Sequence, residues 1–184
     1  MKISNALYIF GLSGILLASC SDDDDTPEPV NEEELITTMT VTLTPQGGGN
    51  SITLQTRDLD GDGPDAPVVT VSGNFAAFTT YDGSIELLNE AEDPVENITS
   101  EVEEEAEEHQ FIFSGTGSVG DINYADTDGN GQPVGLEFLM TTVQPGDGTL
   151  SVTLRHEPTK PNDGTLAGAG GETDITETFN ITVE

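Results

Sequence analysis

Period-two alternation of apolar and polar residues, closely spaced turn residues and an almost complete lack of helical periodicity predict an all-β chain. The expected architecture is a single antiparallel β-sandwich of Ig-like layout. The alternation begins after Glu34 and runs to the C-terminus. Met39, Val41 and Leu43 interleave with Thr38, Thr40, Thr42 and Thr44, and β-branched threonines suit the solvated side of a pleated strand. After Gly47, Gly48, Gly49 and Asn50, the pattern resumes with Ile52 and Leu54, then Val69 and Val71, then residues 75–81. Asp82-Gly83 reads as a hairpin turn into Ile85 and Leu87. Phe111 and Phe113 follow, then Leu136, Phe138 and Met140, then Leu150, Val152 and Leu154, and Phe179, Ile181 and Val183 close a set of about nine short strands. Residues 101–108 contain six glutamates in eight positions and predict a solvated loop or frayed helical turn rather than a packed element.

Ahead of this domain lies a different kind of segment. Lys2 supplies a positive start, residues 6–18 an apolar stretch, and Leu17-Ala18-Ser19-Cys20 a small-residue processing site, so residues 1–19 read as a secretion signal too short to span a bilayer. A cysteine closing that site resembles the lipobox of bacterial lipoproteins, in which Cys20 becomes the lipid-bearing first residue. Two or more acyl signals hold a protein stably on a membrane, because each buried methylene contributes about 0.8 kcal/mol. The expected organisation is therefore a signal peptide at 1–19, a lipidated Cys20 with an acidic, Pro-containing linker at 20–34, and a β-sandwich at 35–184. Asp22, Asp23, Asp24 and Asp25 follow the cysteine directly. In surface-exposed lipoproteins of Bacteroidota-type bacteria such a run acts as an export signal to the outer leaflet, and this segment is similar to one. The alternative is a solubilising spacer.

Composition narrows the partners. The chain has 35 acidic and 4 basic residues, a formal net charge of −31. With Lys2 in the signal, only Arg57, Arg155 and Lys160 remain as cations. Such a surface excludes nucleic acid, whose binding rests on Lys and Arg neutralising phosphate. It attracts cations, either metal ions or a basic protein surface. Cys20 is the single cysteine, so its lipidation leaves no disulfide, thiolate metal site or cysteine nucleophile.

Two loops carry a D-x-D-G-[DN]-G frame. Asp126, Asp128, Asn130 and Gln132 alternate as the oxygen donors of a calcium loop do, and Glu137 falls at its twelfth position. No helices flank the loop, so it resembles an EF-hand-like calcium loop set on β structure, with a plain Asx turn as the alternative. Asp58, Asp60 and Asp62 repeat the frame more weakly, since their twelfth position is Val69; Asp65 is a further donor there. His109 shares strand parity with Phe111 and Phe113, and His156 with Leu150, Val152 and Leu154. If the two strands are antiparallel neighbours, both imidazoles reach one end of the sandwich, near Glu107, Glu108, Glu157 and the Glu172–Asp174 turn. Imidazole with carboxylate suits zinc or another first-row divalent ion; two unrelated rim histidines are the alternative. Glu177 shares parity with Ile175 and Phe179 and is expected to point inward unless a bulge intervenes.

Catalytic patterns are weak. The chain has no G-x-S-x-G elbow and no Trp, so neither an α/β-hydrolase nucleophile nor a glycosidase cleft with aromatic platforms is indicated. Gly168, Gly170 and Gly171 read as a flexible loop without the Lys-Ser/Thr of a phosphate cradle. The expectation is a non-enzymatic binding protein without an organic cofactor.

Residues 105–113 (EAEEHQFIF), 154–163 (LRHEPTKPND), 170–175 (GGETDI), 43–49 (LTPQGGG) and 58–64 (DLDGDGP) resemble a group of small acidic lipoproteins of Bacteroidota-type bacteria. Some of them are labelled type 1 periplasmic binding fold superfamily proteins. That label implies two α/β lobes, whereas the alternation above predicts β structure throughout. The resemblance also implies an outer-membrane setting beside TonB-dependent receptors and a part in nutrient or metal capture, with docking to such a receptor as the alternative role. Cys20→Ala is expected to move the protein from the membrane pellet to the soluble fraction; unchanged membrane recovery would overturn the lipid anchor.

Overall fold

A computed structural model describes residues 35–184 apart from Asp62; the expected signal, Cys20 and the linker lie outside the described residues. Among the described residues, nine strands form two antiparallel sheets. The larger sheet has the order β3-β2-β1-β4-β7-β6, from β1 (Thr38–Pro45), β2 (Ile52–Arg57), β3 (Val68–Val71), β4 (Thr80–Leu88), β6 (Val119–Tyr124) and β7 (Glu137–Thr142). The smaller has the order β5-β8-β9, from β5 (His109–Gly117), β8 (Gly146–His156) and β9 (Glu172–Val183). An all-β sandwich is what the alternation predicts; the two α/β lobes implied by the family label are not what these residues form.

The inner faces follow the period of two. Met39, Val41 and Leu43 from β1 and Leu54 from β2 are fully buried. So are Phe111 from β5, Leu150, Val152 and Leu154 from β8 and Phe179 from β9. With no disulfide available to the domain, this apolar layer between the sheets supplies the main drive to fold. Glu177 also points between the sheets, where it accepts a 2.9 Å hydrogen bond from the Thr56 hydroxyl.

Several elements differ from the sequence expectation, β6 among them, since the sequence reading has no strand at Val119–Tyr124. Residues 101–108 are not wholly solvated, because α1 (Ile98–Glu104) buries Ile98 and Val102, four residues apart and hence on one face. The run 75–81 is not one strand. Phe75 makes an isolated bridge to Val183, Phe78 sits exposed at φ 53°, and β4 starts at Thr80. Asp82-Gly83 makes no turn but lies inside β4, opposite Leu139 and Phe138 of β7. The glycine is there for packing: a Cβ at Gly83 would stand 2.5–2.7 Å from the Phe138 ring. Finally, residues 166–169 form a short helix, α2 (Leu166–Ala169), whose start is capped by the Thr165 hydroxyl accepting from the Gly168 amide.

The close approach at Gly83 gives a stability test. Gly83→Val drives two methyls into the Phe138 ring and is expected to destabilise the domain by about 1–3 kcal/mol, measured by denaturant unfolding. An unchanged midpoint would mean the ring moves aside freely.

Candidate metal centre

The smaller sheet brings the two histidines together. β5 and β8 run antiparallel with His109 directly opposite His156, and their rings stack with centroids 4.8 Å apart and planes 19° from parallel. His109 is 1% and His156 8% exposed. The sequence places them at a common end on condition that these strands are neighbours, and the sheet order meets that condition.

A third group comes from β9, and it arrives through a bulge. Leu154 pairs with Ile175, but Arg155 pairs with Thr173 and His156 with Glu172, so Asp174 is the extra residue between two regular stretches of ladder. A bulge re-aims a side chain that strict alternation would send outward. The Asp174 side chain is 4% exposed, with one carboxylate oxygen 4.0 Å from His109 Nε2 and the other 3.8 Å from His156 Nδ1. Arg155 secures the chain just before it, donating to the carbonyls of Gly170 and Gly171 and to the Thr173 hydroxyl. The sequence places the Glu172–Asp174 segment beside the imidazoles, and the structure agrees; parity alone does not single out Asp174 from that segment, because a bulge leaves no mark in the apolar pattern.

The His109 ring is oriented by a backbone contact. Its Nδ1 lies 3.2 Å from the Glu105 carbonyl at the end of α1, so an Nδ1–H donates there and Nε2 faces Asp174 with its lone pair. Burial pulls its pKa below the ordinary 6.5, outweighing the Glu105 carbonyl, which pulls the other way, and His156 adds to the lowering. A neutral imidazole whose second nitrogen is fixed by a backbone carbonyl is the arrangement found behind metal-ligating histidines. One ligand atom from each of His109, His156 and Asp174 lies within 4.8 Å of the others.

The aspartate loops are organised differently. Asp126 accepts from the amides of Gly135 (2.7 Å) and Glu137 (3.1 Å). Asp128 is buried and accepts from the amides of Asn130 (2.9 Å) and Gln132 (2.8 Å), and its other oxygen receives the Lys160 ammonium at 3.1 Å. Lys160 also donates to the Ala106 carbonyl at 2.7 Å. A cationic side chain therefore stands on the carboxylate that the sequence offered to calcium. Asn130 and Glu137 are exposed, and Asp126, Asp128 and Glu137 are not among the convergent carboxylate and imidazole groups of the described residues. In the first loop, Asp58 accepts from the Asp60 amide and Asp60 from the Asp65 amide, each at 3.3 Å. A hydrogen bond shared with the Asp60 carboxyl, more than burial, raises the pKa of Asp58. Asp62 lies outside the described residues.

Comparison with protein-family models, curated proteins and solved structures returned no match for this chain. Among the described residues no helix is long and apolar enough to cross a membrane.

Burial pushes the Asp128 carboxyl up, but hydrogen bonds from Gln132, Lys160 and Asn130 outweigh it and leave the pKa below the usual 3.8. A folded pKa below the unfolded one means the unfolded chain binds the extra proton. This contribution is therefore fully present above about pH 4 and is lost as the pH falls through the depressed folded value. Lys160→Met is expected to cost about 2 kcal/mol, and Asp128→Ala more, because it strands two amides as well as the ammonium. Denaturant titrations across acid pH check both, and the Asp128→Ala chain is expected to lack this component of the acid-side decline.

Proposed function

We propose that this protein is a lipid-anchored protein of the outer membrane, facing the cell exterior, that captures a first-row divalent metal ion at His109, His156 and Asp174. The observation that carries the reading is the convergence of two buried imidazoles and a buried carboxylate from three adjacent strands. Two nitrogens and one oxygen form a donor set suited to zinc and its neighbours rather than to calcium, which takes six to eight oxygens. A divalent ion there would offset the Asp174 charge and draw the three groups inward to bonds of about 2.0–2.2 Å. The depth of the site supports holding an ion rather than presenting it to a substrate. Calcium at the Asp126 loop is the less favoured reading, since it would have to displace Lys160 from Asp128.

A second reading rests on α1. With Ile98 and Val102 turned inward, Glu103, Glu104, Glu105, Glu107 and Glu108 stand exposed in one stretch. Arg57, Arg155 and Lys160 are each engaged by Glu90, by the 170–173 turn and by Asp128 respectively. This acidic face suits docking to a basic surface such as that of an outer-membrane receptor.

Calorimetry with zinc separates the two. The expected result is one ion per chain, at least about tenfold weaker binding in His109→Ala, His156→Ala and Asp174→Asn, and thermal stabilisation on saturation of about 2.7 kcal/mol at one hundred times Kd. A wild-type chain without zinc heat or stabilisation would overturn metal capture and favour docking.

A further inference from the structure

The proposed centre is largely buried, its side chains 2–10% exposed, which raises the question of how an ion reaches it. A second convergent group answers it: Glu108, His156 and Glu157 also offer ligand atoms within 4.8 Å of one another. Both glutamates are exposed, whereas His109 is buried. His156 belongs to both groups.

The outer group is built into the backbone. Glu108 precedes the first residue of β5 and Glu157 follows the last residue of β8, and the Glu157 amide donates to the Glu108 carbonyl at 2.7 Å. Glu157 sits at φ 47°, a left-handed conformation that is costly for a non-glycine residue and persists only where its surroundings enforce it. Gly171 is part of that enforcement. At φ +69° it lies so close to the His156 and Glu157 backbone that a Cβ would meet the His156 carbonyl and stand 2.9 Å from the carbonyl carbon of Glu157.

Resting on the metal-capture reading, we infer that Glu108 and Glu157 form an entry station. A divalent cation first binds there with His156 and then passes inward to His109 and Asp174, with His156 common to both stages. The outer site is weak, exposed and fast, and the inner site is buried and retains the ion. A station on the route speeds entry and exit together, so its loss changes rates more than affinity.

Stopped-flow absorbance of the full chain with Co²⁺ tests this, using Co²⁺ as the coloured stand-in for zinc. The combined change Glu108→Gln and Glu157→Gln is expected to slow association at least about tenfold, with a matching fall in dissociation and an equilibrium Kd within about threefold of wild type. Glu101→Gln with Glu104→Gln removes the same charge from α1 and is expected to leave the rate near wild type. His109→Ala is expected to keep a rapid, weak phase and lose the slow, tight one. Wild-type Co²⁺ uptake at a rate untouched by the Glu108 and Glu157 changes overturns the entry station and leaves the metal centre standing. An equal loss in the Glu101 and Glu104 control assigns the effect to general charge and also overturns the station. A wild-type chain that takes up no Co²⁺ overturns both.

Discussion

The register of the three-stranded sheet is the constraint on which the candidate centre depends. Opposed residues in an antiparallel pair carry their side chains to the same face, so setting His109 against His156 makes the two rings neighbours, and they stack. A slip of one residue would send one imidazole to the opposite face. β9 obeys the same rule up to Ile175 and then breaks it once, and that single extra residue delivers Asp174. Phe111, Leu154 and Val152, immediately inward of the histidines, are fully buried and resist such a slip, so the apolar layer also sets the geometry of the polar end.

The three positive side chains of the domain show how a strongly acidic protein uses scarce charge. Arg57 meets Glu90, whose pKa it helps lower through its hydrogen bond, with Thr38 contributing next. Arg155 gathers the carbonyls of the turn before β9, and Lys160 ties the 126–137 loop to the end of α1 through Asp128 and the Ala106 carbonyl. Each cation thus fastens a loop rather than lying along a strand. The Lys160 contact places a side-chain ammonium where the loop spacing alone suggested a metal ion.

Much of the sandwich was legible because burial on one face writes itself as alternation. β1, β2, β7, β8 and β9 follow from Met39, Leu54, Phe138, Val152 and Phe179 with their neighbours at every second position. What was illegible broke that period or hid beneath another signal. β6 was missed because its register shifts between Val119 and Ile122. Asp82-Gly83 carries turn chemistry but serves a ring contact. The helix in the glutamate run was masked by charge, although Ile98 and Val102 at four-residue spacing were its trace. At the candidate centre, parity and chain position bring both histidines to one end together with Glu108, Glu157 and the 172–174 segment, while the choice of Asp174 within that segment depends on the bulge.

β3 terminates the larger sheet with its far side outside that sheet, and Val68 and Val69 stand exposed on it. An open β-branched border is a template for coupling to a sister molecule and growing into aggregates. Mutual repulsion between copies carrying so many carboxylates is a safeguard against this. It reaches about 8 Å in physiological saline and about 3 Å in molar salt. Colloidal behaviour of this protein is therefore governed by ionic strength, with brine removing the barrier that dilute medium maintains.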